Sequence, residues 1–210
     1  NEHFDLVVLD VGLPDMDGRE ACKLLRKNGF KSPIVMLTGN VSDHDRDHGL
    51  LFNYANGSAI EGNVVRDSEK CVFIYNANRN VFRDNWFEGC AIGIHFTAGS
   101  ERNQLSGNAF VNNQTQVKYV GTRSLDWSFE GRGNYWSDNA SFDLSGDGIA
   151  DEAYRPNDII DRIVWTYPAA KLLLNSPGIQ VIRWAQKQFP ALTPGGVVDT
   201  RPLIRPPPRP

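Results

Sequence analysis

The chain has 210 residues, 40 % hydrophobic and 22 % charged, with a formal net charge of −3. That composition suffices for one or two packed domains, shows no disorder signature, and gives no global charge argument for nucleic-acid binding. No apolar run approaches the roughly 18 residues of a membrane helix. No signal peptide is visible, and with Asn1 in place of a Met the sequence reads as a fragment whose signal could have been lost.

Charge is unevenly placed. Residues 1–47 hold six Lys/Arg against nine Asp/Glu, whereas residues 48–210 hold sixteen of each, so the two stretches can have different origins. The three cysteines, Cys22, Cys71 and Cys90, are odd in number and not closely spaced. They read as small buried thiols rather than a disulfide framework or a zinc site.

Residues 4–10, FDLVVLD, predict a buried strand ending in an acid. After the loop GLPDMDG, residues 18–28 predict an amphipathic helix with Ala21, Leu24 and Leu25 on its apolar face and Gly29 as C-cap. Residues 33–38, PIVMLT, predict a second strand. VVLDVGLPDMDG and PIVMLTG resemble the middle of a response-regulator receiver domain. The resemblance matches Asp10 to the phosphoacceptor and Thr38 to the switch threonine. It also implies an acidic pair from the first strand and a lysine on the fifth, and neither segment is present. Without a metal to neutralise the transferring phosphoryl group, Asp10 is expected to be only an acid at a strand end.

From Gly49 the texture changes. IEGNV (60–64), FRDNW (82–86) and LSGNA (105–109) repeat at spacings of 22 and then 23 residues. Between them lie the strand-like runs LLFNY, CVFIY and IGIHF. Short strands, Asn and Gly turns and no helical period predict a parallel β-helix, in which each coil buries its inner face on the next. A leucine-rich solenoid would need a Leu-x-x-Leu-x-Leu frame, which is absent.

HGLLFNYANGS, IGIHFTAGSERN, TQVKYVGTR, GRGNYWSDN and AYRPNDIIDRIVWTYPAAKLLLNSP resemble the NosD family, from about His48 to about Pro206. The resemblance implies a right-handed β-helix and a non-enzymatic periplasmic accessory protein. Its partners would be a membrane permease with an ATP-binding-cassette subunit, a copper chaperone, and nitrous oxide reductase, whose copper–sulfide centre it helps mature. Cys71 and Cys90 stand where small or Gly residues are ordinary for the family.

The sharpest local motif is DLSGDGIAD (143–151). Oxygen side chains at alternate positions, then Gly and a later acid, form a loop able to wrap Ca²⁺ through Asp143, Ser145, Asp147 and Asp151 and the Ile149 carbonyl. Tyr154 holds the twelfth position, so the loop is not an EF-hand, and Ser145 stands where an acid is commoner. Such a calcium ion would be structural; a solvated acidic turn is the other reading. Tyr119, Trp127, Tyr135, Trp136, Tyr154, Trp165 and Tyr167 read as a cap on the open end of the solenoid rather than a carbohydrate platform.

Copper favours Cys, Met and His. The β-helix part offers only His48, His95, Cys71 and Cys90, without ligand spacing, so copper is expected only indirectly. A polysaccharide-active β-helix enzyme is the other class. It would need carboxylates converging on adjacent coil strands, whereas CVFIY and IGIHF carry none. The remaining acids, among them Asp126, Glu130 and Asp138, sit in terminal loops, and Asp158 and Asp161 read as a salt-bridge network with Arg155 and Arg162.

Residues 168–175 and 178–189 predict two short helices broken by Pro177, either packed back on the solenoid end or docked on a membrane partner. The tail RPLIRPPPRP is expected to be extended and mobile.

The sequence thus divides into a partial β-α-β receiver-like fragment (1–47), a mainly β right-handed parallel β-helix of about three coils with an aromatic and calcium-loop cap (48–167), and a helical, Pro-rich tail (168–210). Receiver domains are cytoplasmic and the β-helix family periplasmic, so an artificial join at residues 44–49 is the simplest account. The first coil is then expected to expose an unpaired edge that promotes aggregation. A signalling protein with a β-helix output is the alternative.

Overall fold

The corners of the solenoid are set by residues in the left-handed backbone region, repeated coil after coil. Gly57, Arg79 and Arg102 form one such column, Gly62, Asp84 and Gly107 a second, and Asp67, Gly89 and Asn112 a third. Every column recurs at the 22- and 23-residue spacing read from the sequence. The computed structural model describes residues 7–10, 15–30, 32, 34–37, 48–97, 99–121, 123–189 and 195–210.

Between the corners run three faces of parallel strands. The first is built from β3 (His48–Asn53), β6 (Lys70–Tyr75), β9 (Ile92–Thr97) and β12 (Thr115–Val120). The second holds β4 (Ala59–Glu61), β7 (Val81–Arg83) and β10 (Gln104–Ser106). The third holds β5 (Val64–Arg66), β8 (Trp86–Glu88), β11 (Ala109–Val111) and β14 (Tyr135–Trp136). The first face has four rungs of the solenoid where the sequence suggested about three coils.

Register aligns like with like inside. Phe52, Ile74, Phe96 and Tyr119 form one buried column, and Leu50, Val72, Ile94 and Val117 another. Phe87, Phe110 and Trp136 continue the core on the third face. Each fully buried side chain of this size contributes about 1.5–3 kcal/mol, so stacking rather than strand propensity holds the short strands.

Asparagine ladders satisfy the corners. Asn63 Nδ2 donates to Asn85 Oδ1 at 2.9 Å, Asn85 Nδ2 to Asn108 Oδ1 at 2.8 Å, and Asn108 Nδ2 to Asn134 Oδ1 at 2.8 Å. A second ladder links Asn80 Nδ2 to Asn103 Oδ1 at 3.1 Å. The buried ladder asparagines Asn80, Asn85, Asn108 and Asn134 are thereby paired, as a dry interior requires.

Four expectations are corrected. The N-terminal fragment does cover part of the first coil: β1 (Val7–Asp10) pairs in parallel with β2 (Ile34–Leu37), and β2 pairs antiparallel with β3, Val35 opposite Phe52. Helix α1 (Gly18–Lys27) packs Cys22 against Ile34 and the outward Leu51, and Arg26 Nη2 donates to the Asn53 carbonyl at 3.0 Å. Among the described residues the first coil keeps an unpaired edge at β4 and β5, which end the other two faces. Second, Cys71 and Cys90 are a disulfide with Cα atoms 5.7 Å apart, not free thiols, and Cys22 is the free cysteine. The β6 start and the corner before β9 are neighbours once the coil closes.

Third, Pro177 opens α3 (Pro177–Gln188) at its first turn, where a missing N–H costs nothing, rather than breaking it. Fourth, the C-terminal residues return to the solenoid end: β15 (Val197–Val198) pairs with β13 (Leu125–Asp126), Leu203 bridges Tyr135 and Ile149, and Arg209 lies 5.5 Å over the Trp86 ring. A proline tail lacks donors but keeps its carbonyls, and Pro202 accepts from Ala150 N at 2.7 Å.

Candidate functional site

The cap over the last coil is aromatic: Phe110 stacks on Trp136 at 4.3 Å, Trp136 on Tyr154 at 4.8 Å, and Phe96 on Tyr119 at 4.5 Å. Trp165 and Tyr167, read as cap residues, instead lie on a separate helical layer; Lys118 Nζ sits 6.0 Å from the Trp165 ring.

That layer begins at α2 (Ile159–Thr166), whose start is fixed by a capping box: Asp161 N donates to Asp158 Oδ1 and Asp158 N to Asp161 Oδ2, both at 2.8 Å. The ion pair here is Asp158 with Arg183 at 3.0 Å, in place of the Arg155 and Arg162 pairing expected from sequence. Burial, ahead of its other surroundings, pushes the Asp161 carboxyl up. Ile160 and Val164 form the buried side of α2. A 3₁₀ turn (Pro168–Leu173) then leads to α3.

The layer exposes many large apolar side chains: Leu172 is 90 % exposed, Tyr167 67 %, Val181 62 % and Trp184 60 %, and Leu173, Phe189, Ile182 and Ile163 are also exposed. So many exposed large apolar residues within one short segment are what an interaction surface requires. Among the described residues no helix is long and apolar enough to cross a membrane. Of the layer's elements the sequence showed α3; the expected helix at 168–175 is a 3₁₀ turn, and α2 was not expected.

The acidic loop is closed by its own backbone. Asp143 Oδ1 accepts from Gly146 N at 2.6 Å and Ser145 Oγ at 3.1 Å, and Asp143 Oδ2 from Gly148 N at 2.8 Å. Asp147 Oδ1 accepts from Ile149 N at 3.0 Å and Asp151 Oδ2 from Leu144 N at 2.7 Å. These amides, Gly148 first, hold the Asp143 carboxyl below its ordinary range. Among the described residues no three His, Cys, Asp or Glu side chains are grouped to hold a metal ion.

The donors weighed for copper do not fit it. Cys71 and Cys90 carry no thiolate while bonded to each other. The Phe73 ring stands between the imidazoles, 5.2 Å from His48 and 4.9 Å from His95. Burial, reinforced by Lys118 and Lys70, lowers the His95 imidazole to about 4.

Asp10 is the last residue of β1, opposite Leu37; Thr38 lies outside the described residues. The loop acids proposed against an enzyme are hydrogen-bonded: Asp126 Oδ2 accepts from Thr200 Oγ1 at 2.8 Å, and Asp138 Oδ1 from Tyr154 OH at 2.8 Å. Sequence reading missed Asp199, a buried carboxylate that accepts from Trp136 Nε1 at 2.9 Å and from Asn134 N at 2.7 Å. Its partner was findable, because Gly133-Asn134 repeats the Gly-Asn pair of Gly62-Asn63 and Gly107-Asn108.

The family model described as periplasmic copper-binding protein (NosD) matches residues 30–141, and that of the response regulator receiver domain matches residues 1–55. The sequence is 48 % identical over 191 residues to a protein of Stutzerimonas stutzeri named "Probable ABC transporter binding protein NosD", covering 84 % of this chain and 44 % of that protein. A protein of the same name from Pseudomonas aeruginosa is 46 % identical over 197 residues, covering 86 % of this chain and 46 % of that one. The chain therefore spans about half the length of these relatives. Its first part is 50 % identical over 49 residues to the alkaline phosphatase synthesis transcriptional regulatory protein PhoP of Bacillus subtilis, covering 23 % of this chain and 20 % of that protein.

Proposed function

The chain belongs to the NosD family, and from that membership and the open helical face we propose that it is a non-enzymatic periplasmic accessory protein that docks on the membrane permease of an ATP-binding-cassette transporter. The observation that carries this is the exposure of Tyr167, Leu172, Val181 and Trp184 on one helical layer beside a closed solenoid. The relatives' names, as probable ABC transporter binding proteins, support that choice of partner.

The finer role is support of copper–sulfide cluster maturation in nitrous oxide reductase, beside a copper chaperone. In this reading copper enters only indirectly, which is supported by Cys71 and Cys90 being bonded to each other rather than free as thiolates.

The test is capture of the detergent-solubilised permease complex by the tagged chain. The double variant Leu172→Glu/Trp184→Glu should weaken capture by about tenfold or more, as loss of an aromatic anchor does. Its melting temperature should stay unchanged, because both side chains are exposed. Equal capture by the parent and the variant defeats the docking reading.

A further inference from the structure

We propose that the groove along the corners joining the first and second faces binds a small multivalent oxyanion. The groove, about 510 Å³ in volume, is lined by Asn56, Asn78, Arg79, Gly99, Glu101 and Arg102, drawn from three successive coils.

The argument starts with the amides. Asn78 N donates to Asn56 Oδ1 at 2.6 Å, and Glu101 N donates to Asn78 Oδ1 at 2.5 Å. Each carboxamide oxygen is thus taken by the backbone of the next coil, which turns each NH₂ group the other way. Donors, not acceptors, are what these two residues have left to offer a ligand.

The charges point the same way. The carboxylate in the groove, Glu101, is paired with Arg123 at 2.7 Å. Arg79 and Arg102 have no carboxylate partner among the described residues. They occupy the same corner of successive coils, about 4.8 Å apart along the solenoid axis. Both side chains start from backbone positions one coil apart, and their planar guanidinium forks suit phosphate and carboxylate oxygens.

The backbone adds a third observation. Arg79 and Arg102 both have φ of 57°, a conformation in which the preceding coil has Gly57. Glycine takes that conformation without cost and arginine does not, so these corners keep a guanidinium where glycine would be easier. A ligand with two or more anionic groups about one coil repeat apart, phosphate- or carboxylate-bearing, fits this arrangement. The inference is independent of the docking face.

The test is calorimetric titration of the full chain with tripolyphosphate and, separately, with tricarballylate, at ionic strength held constant with sodium chloride. Saturable binding is expected. Arg79→Ala/Arg102→Ala should weaken it by about tenfold or more with an unchanged melting temperature, and Glu101→Gln should strengthen it. Binding of both probes, of tripolyphosphate alone, or of tricarballylate alone supports the site and identifies which oxyanion it takes. No saturable heat with either probe, or a double variant that binds like the parent, overturns it.

Discussion

Asp199 ends the asparagine ladder at Asn134: its Oδ2 accepts the Asn134 backbone N–H at 2.7 Å and Asn134 Nδ2 at 3.2 Å, where a further coil would supply another asparagine. The same oxygen takes Trp136 Nε1 at 2.9 Å, and Oδ1 takes Arg201 N at 3.1 Å. One side chain from the returning C-terminus therefore closes the polar ladder and fixes the aromatic cap. Asp199→Ala leaves these donors without an acceptor and is expected to cost about 2–4 kcal/mol in urea unfolding, with Asp199→Asn costing less. Gly133→Ala is expected to cost a similar amount, because a Cβ there overlaps the Asp199 carboxylate and the Arg201 carbonyl. A near-parental midpoint for Asp199→Ala contradicts the ladder-closing role.

The Cys71–Cys90 bond spans 19 residues and closes one coil on itself. A loop of that length contributes about 3 kcal/mol by restricting the unfolded chain. Cys71→Ser/Cys90→Ser should lower the unfolding free energy by that order. In denaturant without reductant the parent should titrate as one thiol, Cys22; three thiols would mean that the bond is absent.

The solenoid was legible because its physics is periodic. Each coil needs left-handed corners and inward apolar residues at fixed offsets, and Asn63, Asn85 and Asn108 display that repeat in the sequence. Asp199 was not legible, since it lies 65 residues from Asn134 and joins the ladder only because the tail folds back. The disulfide was hidden by the odd cysteine count and by a spacing that means proximity only when the coil period is applied. The proline tail misled because composition speaks of missing donors and not of the carbonyls that pair with Ala150 and Gly133. Within the candidate docking layer, α3 was readable from sequence, whereas α2 was not, and the segment expected as a helix at 168–175 is a 3₁₀ turn.

His95 lies between the Phe73 ring and Lys118 on the outer side of the first face, and its pKa is lowered from 6.5 to about 4. The folded state therefore binds this proton less readily than the unfolded state does. Stability should be fully present above the unfolded value and fall as pH drops from about 6.5 toward about 4. His95→Phe, which keeps a ring on Phe73, should flatten the melting-temperature profile across that window. Parallel profiles for parent and variant would place the pH dependence elsewhere.

Asp10, at the end of β1, is the residue that the receiver resemblance matches to a phosphoacceptor. Phosphoryl transfer to a carboxylate needs a metal to neutralise the charge that develops. No metal-holding group of acids is present among the described residues. Incubation with acetyl phosphate and Mg²⁺ is expected to leave the intact mass unchanged. A phosphoryl adduct lost in Asp10→Asn would instead revive the signalling reading.

The loop carrying Asp143, Ser145, Asp147, Ile149 and Asp151 is proposed to take Ca²⁺ only weakly. A cation gathering Asp143, Asp147 and Asp151 competes with amides that already hold their oxygens, Leu144 N on Asp151 at 2.7 Å among them. Affinity is expected at about 10⁻⁴–10⁻³ M, the range of extracellular modules, and melting temperature should rise only at calcium concentrations above that range. Acid should act on the same loop. The Asp143 pKa is depressed by Gly148 N, so its contribution is present above the unfolded value of 3.8 and is lost as pH falls through the folded one. Asp143→Asn should remove both the calcium response and this acid-range loss. Micromolar affinity would show that the loop rearranges to surround the ion. No calcium response, with the acid effect retained, would leave a turn closed by its own backbone amides.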